Sequence, residues 1–326
     1  MMNTIEHRLG SVHLQQMLDE ISEEVAPLLE LGQQPDFIPE LKNVPKAQFG
    51  IALSLTDGTV IESGVAHKAF SIQSISKVFA LLLALETHGE AVWTHVGREP
   101  SGRPFNDLAL LNDKGSRPAN PFVNAGALVI TDLLCRAFEK PVERLRSYID
   151  NLSAAGSGVA VDQNIANSEF SVAERNLAMA YLLNNYGHVK NSPAEVVRAY
   201  CDQCAFAMSS TQLALSLLPL AQPDSKKIVS SHRRAVNALM MTCGTYDAAG
   251  EFAVRIGLPI KSGSGGGMAA IVPGIGVLCA WAPGLDRNFN SIAAARAIES
   301  FVSRTKIDCW TPSAATANLS AACQDA

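Results

Sequence analysis

A chain of 326 residues, 48% hydrophobic and 17% charged, carries enough apolar material for one large core or two closely packed lobes. Its formal charge of -5, with no basic run or stripe, excludes an electrostatic footprint for nucleic acid or anionic lipid and favours a small-molecule partner. The longest apolar runs, 78–85 and 269–282, are too short or too interrupted by Gly and Pro to cross a bilayer as helices.

Residues 1–16 are charged and lack an apolar h-region, so no signal peptide is expected and cytoplasmic residence is the default. Seven cysteines, an odd number scattered along the chain, fit a reducing compartment better than a disulfide framework.

The first element in chain order is an amphipathic helix over 13–31, with Leu14, Met17, Ile21, Val25 and Leu28 on one face. Residues 49–55 and 60–64 alternate about the turn Thr56-Asp57-Gly58 as a hairpin, and 69–72 offers a further short strand. The pattern switches to helix at Ser74. Helical spacing then holds over 123–138, 171–185 and 192–206, where Ser192-Pro193-Ala194-Glu195 reads as a capping box with Pro at the first helical position. Further helices are expected over 211–220 and 233–242. A second hairpin, 268–272 and 276–281 about Pro273-Gly274, precedes a helix over 291–303.

Strands at both ends and helices between them predict an α+β domain, with one mostly antiparallel sheet built from both chain ends and a helical lobe inserted between them. No repeat or long linker divides the chain, so a single domain over 1–326 is expected. Residues 311–326, small and polar, read as a loose tail.

Where strand gives way to helix, Ser74 and Lys77 stand three apart, a spacing that puts both side chains on one helical face. A serine hydroxyl becomes a nucleophile when a base takes its proton, and a buried lysine with a lowered pKa can do so. Free NH groups at the helix start would stabilise a developing oxyanion. S-x-x-K alone recurs by chance. Lys261-Ser262-Gly263, just before a strand, supplies a second element similar to the K-T-G signature of active-site serine acyl transferases. The loop Ser264-Gly265-Gly266-Gly267 lacks the P-loop lysine and leads into a strand, so it reads as backbone approaching a substrate or as a plain turn.

There is no H-E-x-x-H and no G-x-S-x-G, which disfavours zinc and a Ser-His-Asp triad. Cys201 and Cys204 have C-x-x-C spacing inside a helix pattern with no second pair, so they read as core cysteines. Neither a metal nor a cofactor is expected.

Around these residues the chain resembles the bacterial and mitochondrial glutaminase family, whose fold is similar to that of serine β-lactamases and penicillin-binding proteins. The resemblance spans about 25–305. It is carried by the blocks at Asp36 to Leu41, Gln73 to Lys77, Glu99 to Gly102, Asn120 to Ala127, Glu174-Arg175-Asn176, Cys243 to Asp247 and Gly257 to Gly263. It implies a β-lactamase-like or transpeptidase-like fold and hydrolysis of L-glutamine to L-glutamate and ammonia. It further implies Ser74 as nucleophile, Lys77 as its proton acceptor and Tyr246 as a proton relay. The substrate contacts it implies are Asn124, Glu169, Asn176, Tyr200 and Tyr246, with the backbone NH groups of Ser74 and Ser264 as an oxyanion hole. A homotetramer is the expected assembly.

The implied contacts suit the ligand, because an α-ammonium needs an acceptor such as Glu169 and a carboxylate or amide suits Asn and Tyr donors. Two positions depart from the family pattern. Phe37 stands where Tyr is usual, removing a hydroxyl from the expected pocket. Ser264 stands where Val is usual, a change expected to be mild because the implied contact is made by the main chain. The rival reading is a β-lactam-binding or peptidase-type serine enzyme of the same fold; its usual extracytoplasmic setting and the expected ammonium acceptor weigh against it.

Overall fold

Alternation along three central strands sends successive residues to two different cores, and both faces of the resulting sheet are covered. The structure, a computed structural model, describes residues 10–111, 117–153 and 158–310; the expected tail over 311–326 lies outside them. The strands are β1 (Gly50–Leu55), β2 (Val60–Gly64), β3 (Phe70–Ser71), β4 (Ala160–Val161), β5 (Phe206–Met208), β6 (Ile260–Ser262), β7 (Gly267–Val272) and β8 (Gly276–Trp281).

The main sheet has the order β2-β1-β8-β7-β6, antiparallel throughout. Strand β1 from the early chain pairs with β8 from the late chain, Gly50 opposite Trp281 and Leu55 opposite Gly276. Both hairpins form as expected, and the sheet is built from both chain ends.

Ile51, Leu53, Met268, Ala270, Leu278 and Ala280 face one core, which α1 (Ser11–Val25) closes with Leu14, Leu18 and Ile21. The C-terminal helix over 292–305 joins them through Ile298 and Phe301. Ala52, Ala269, Ile271, Val277, Cys279 and Trp281 face the opposite core. Because neither face meets water, all six residues of β1, β7 and β8 are buried.

The second core is organised by α2 (Ser76–His88), buried at every position from Ser76 to Leu85. A helix apolar all round belongs in an interior. Into this core pack α3 (Asn124–Ala137) and α4 (Pro141–Leu152); α5 (Gln163–Ser171), α6 (Glu174–Asn185) and α7 (Pro193–Cys204) lie outside it, and α8 (Ser210–Ala221) and α9 (Ser230–Cys243) rejoin it. A third cluster joins Ala125 and Leu128 of α3, Met179 and Leu183 of α6, and Val197 and Tyr200 of α7.

Several boundaries differ from expectation. The opening helix stops at Val25 and passes into a 3-10 turn at Ala26–Leu28, where Pro27 provides no NH. The strand expected over 69–72 forms as Phe70–Ser71, yet it belongs to a separate three-stranded sheet, β3-β5-β4. The helix expected over 171–185 is broken at Val172 and Ala173, with Gln163–Ser171 a helix of its own. Ser192 leads its helix with Pro193 at the first position, but its side chain makes no capping bond. The reciprocal capping box forms at Ser209 and Gln212 instead.

Candidate active site

The chain enters the site through a strained turn. Gln73 has φ 47, a left-handed value uncommon for a side-chain-bearing residue, and opens a 3-10 turn, Gln73–Ile75, ahead of α2. The expected helix at Ser74 thus begins with a tighter turn, and α-helix proper starts at Ser76.

Opposite lies the loop from β6 to β7. Gly263 NH bonds to Gly267 O and Gly266 NH to Gly263 O. A Cβ on Gly263 would sit 2.3 Å from Ile72 O, and one on Gly265 would sit 1.9 Å from Ser71 O. Only glycine lets this loop lie against the backbone at 71–72. That close approach carries Ser264 to the side chain of Gln73.

Ser74 is 7% exposed and Lys77 1% exposed. Lys77 Nζ donates to Asn124 Oδ1 at 2.7 Å and to Phe122 O at 3.2 Å. Burial pulls its pKa down to about 8, against the opposing pull of Cys204 and Glu169. A neutral amine has two N–H bonds and one lone pair; with both N–H bonds committed to these oxygens, the lone pair is free to accept a proton.

Tyr246, at φ 58, donates its hydroxyl to Ser262 O at 3.3 Å. Burial raises the phenol to about 12, offset in part by a hydrogen bond with the Ser74 side chain, so the phenol keeps its proton near neutrality. Lys261, fully buried, donates to Gly244 O at 2.8 Å and Ser262 O at 2.6 Å, with its Nζ 4.6 Å from the centre of the Tyr246 ring. Burial and the neighbouring Lys77 push its pKa well down.

Ser74, Asn124, Glu169, Asn176, Tyr200 and Ser264 line one cavity of about 370 Å³. Glu169 comes from the end of α5 and Asn176 from the first turn of α6; the break at 172–173 turns both inward. Asn124 Nδ2 donates to Asn176 Oδ1 at 3.1 Å, and the Tyr200 hydroxyl donates to Asn124 Oδ1 at 3.3 Å. Burial raises the Glu169 carboxyl to about 7, against a hydrogen bond from Gln73 and attraction to Lys77. Tyr246 lines a neighbouring cleft of about 640 Å³ that shares Phe105 with the first. The larger cleft contains neither Ser74 nor Glu169, which both line the smaller one.

Phe37 lines the same cavity, 43% exposed and edge-on to Phe289 at 5.5 Å, so it is a wall residue and not packed core. Ser264 turns its side chain toward Gln73, with Oγ donating to Gln73 Oε1 at 3.3 Å. Three site residues were passed over in the sequence. Gln73 bridges Ser264 and Glu169, while Phe105 and Phe289 form an edge-on pair, 5.6 Å apart, on the cavity wall. Gln73 adjoins Ser74, which was the available signal; nothing local in the sequence marks the two phenylalanines. Cys201 and Cys204 are buried free thiols in α7.

The Glutaminase family model matches residues 32–310. A glutaminase of Paraburkholderia phytofirmans (strain DSM 17436 / LMG 22146 / PsJN) is 45% identical over 289 residues, which cover 87% of this chain and 95% of that one. Among solved structures, the probable glutaminase ybaS superposes with a TM-score of 0.86 at 32% identity, covering 92% of this chain and 98% of that one. Mglu in its glutamate form superposes with the same TM-score at 30% identity, covering 92% of this chain and 70% of that one.

Proposed function

We propose that this chain, which belongs to the glutaminase family, attacks the side-chain amide of L-glutamine with Ser74 Oγ and uses Lys77 as the base. Its activity is that of an amidohydrolase, converting L-glutamine to L-glutamate and ammonia. As Ser74 Oγ bonds to the amide carbon, its proton passes to the Lys77 lone pair. The amide oxygen takes up negative charge against the backbone NH groups of Ser74 and Ser264. Tyr246 relays a proton to the departing nitrogen, ammonia leaves, and an ester on Ser74 remains. Water, activated by the same amine, cleaves that ester to glutamate.

The observation that carries this reading is the buried Lys77, whose two bonds to Asn124 and Phe122 suit a neutral amine with a free lone pair. Glu169 would receive the α-ammonium, which also favours its charged form. Asn124, Asn176, Tyr200 and Tyr246 would hold the rest of the amino acid. A single domain over the whole chain, a cytoplasmic setting and a homotetrameric assembly belong to the same proposal. Among the described residues, no helix is long and apolar enough to cross a membrane.

Ammonia release measured with L-glutamine, L-asparagine and D-glutamine tests the reading. Turnover of L-glutamine well above the other two is expected; equal turnover of all three, or none of L-glutamine, would refute it.

A further inference from the structure

Gln73 stands at the centre of a buried hydrogen-bond chain that joins Cys204, Ser71, Glu169 and Ser264. Ser71 Oγ gives its only proton to Cys204 O at 3.0 Å, so toward Gln73 it can only accept. Gln73 Nε2 therefore donates to Ser71 Oγ at 3.0 Å, and its second proton goes to Glu169 Oε2 at 3.2 Å. That leaves Gln73 Oε1 facing Ser264 Oγ at 3.3 Å, where the hydroxyl donates. Ser71, Gln73, Glu169 and Ser264 are all buried.

The opposite flip of the Gln73 amide would turn its oxygen toward the Glu169 carboxylate, two acceptors face to face. In water that choice would be nearly neutral, but in a buried site an unmatched acceptor pair is costly. A serine hydroxyl can donate or accept, so the carboxylate sets the flip; Ser264 Oγ, donating to Gln73 Oε1, anchors the far end of the amide whose NH group serves Glu169.

We propose that Ser264 is a positioning residue: through the Gln73 amide it holds the Glu169 carboxylate in the orientation that receives the substrate's α-ammonium. This rests on Glu169 as the ammonium acceptor in the glutaminase reading and extends it to a side chain whose family-implied contact was main-chain only. Its effect falls first on binding of the amino-acid end, which Glu169 receives, and less on proton transfer between Ser74 and Lys77. The groups that act electrically on Glu169 are few. Lys77 attracts it from α2, and Tyr200, Cys201 and Cys204 of α7, all raised by burial, stay uncharged near neutrality. Asp36 and Arg175 complete the charged lining of the cavity.

The test is Ser264→Ala, compared with the unaltered enzyme, with Gln73→Ala and with the double variant. KM for L-glutamine and the dissociation constant for L-glutamate should rise roughly 2- to 10-fold in Ser264→Ala. That rise should exceed the fall in kcat, and the acid limb of kcat/KM should move to higher pH as Glu169 loses its fixed donor. On the Gln73→Ala background, Ser264→Ala should add almost nothing, because the effect passes through Gln73. Unchanged KM, glutamate affinity and acid limb in Ser264→Ala would overturn the proposal while leaving the glutaminase reading intact, as would full additivity in the double variant. An unaltered enzyme that neither released ammonia from L-glutamine nor bound L-glutamate would overturn the glutaminase reading itself, and this proposal with it.

Discussion

Lys77 Nζ lies 2.7 Å from Asn124 Oδ1, and the Tyr200 hydroxyl donates to that same oxygen from 3.3 Å. The oxygen is an acceptor without full charge, so it holds the lysine in place without stabilising its ammonium strongly. Asn124→Asp places a carboxylate there and favours the protonated, catalytically silent amine. Turnover near neutral pH should fall by roughly tenfold or more, with the alkaline rise displaced to higher pH. Rates measured across pH on this variant check it; an unshifted rise would show that Lys77 is not the titrating base.

The unaltered enzyme should become more active as pH is raised. Burial holds Lys77 at about 8, so the free amine dominates above that value. Glu169, raised to about 7, is a carboxylate above its own value. Both required forms lie on the alkaline side, so the two effects act in the same direction: kcat/KM falls as pH drops through this window. A profile of kcat/KM between about pH 6 and 9 checks the sign. A rate that rose toward acid would contradict both assignments.

Glu169→Gln removes the charge that the α-ammonium is expected to meet. A hydrogen bond to a charged partner contributes about 1.5 to 3 kcal/mol, so KM should rise roughly 10- to 150-fold. Preference for glutamine over an amide lacking the amino group should shrink by a similar factor. Steady-state kinetics with both amides decide it, and a retained preference would move the ammonium site elsewhere.

The legible part of this molecule was the part written in local pattern. Thr56-Asp57-Gly58 and Pro273-Gly274, each between alternating apolar runs, marked both hairpins, because turn chemistry and period-two spacing are short-range properties. Ser74 and Lys77 stood out for the same reason. The break at Val172 and Ala173 did not: neither residue is a helix breaker, and the interruption serves tertiary packing that brings Glu169 and Asn176 onto one cavity. Of the small sheet only β3 was legible, as the short strand over 69–72; β4 and β5, two and three residues long, exist only through their pairing.

Side-chain partners distant in sequence were hidden altogether. Ser264 and Gln73 meet because Gly263 and Gly265 allow two backbones to touch. Ser192-Pro193-Ala194-Glu195 satisfied the capping pattern, yet Ser209 and Gln212 formed the reciprocal bonds. A capping motif states what a side chain can do, and the path of the preceding chain selects which one does it.

Phe37→Tyr offers a gain-of-function check on the cavity wall. Phe37 is 43% exposed and packs edge-on to Phe289, so an added hydroxyl meets solvent or substrate and not a sealed core. KM for glutamine should fall roughly 2- to 10-fold, the scale of one neutral hydrogen bond, with kcat and melting temperature little changed. Steady-state kinetics and a melting curve check both halves; a higher KM with a lower melting temperature would remove Phe37 from the substrate's surroundings.

The central claim is that Ser74 carries the acyl group, and Ser74→Ala tests it most directly. The purified variant is assayed for ammonia release from saturating L-glutamine, with circular dichroism and a melting curve to verify its fold. The account predicts a folded protein with turnover reduced on the order of a thousandfold or more, and no further large loss when Lys77→Ala is added, since nucleophile and base act as a unit. A folded Ser74→Ala enzyme releasing ammonia at a rate near that of the unaltered protein would contradict it.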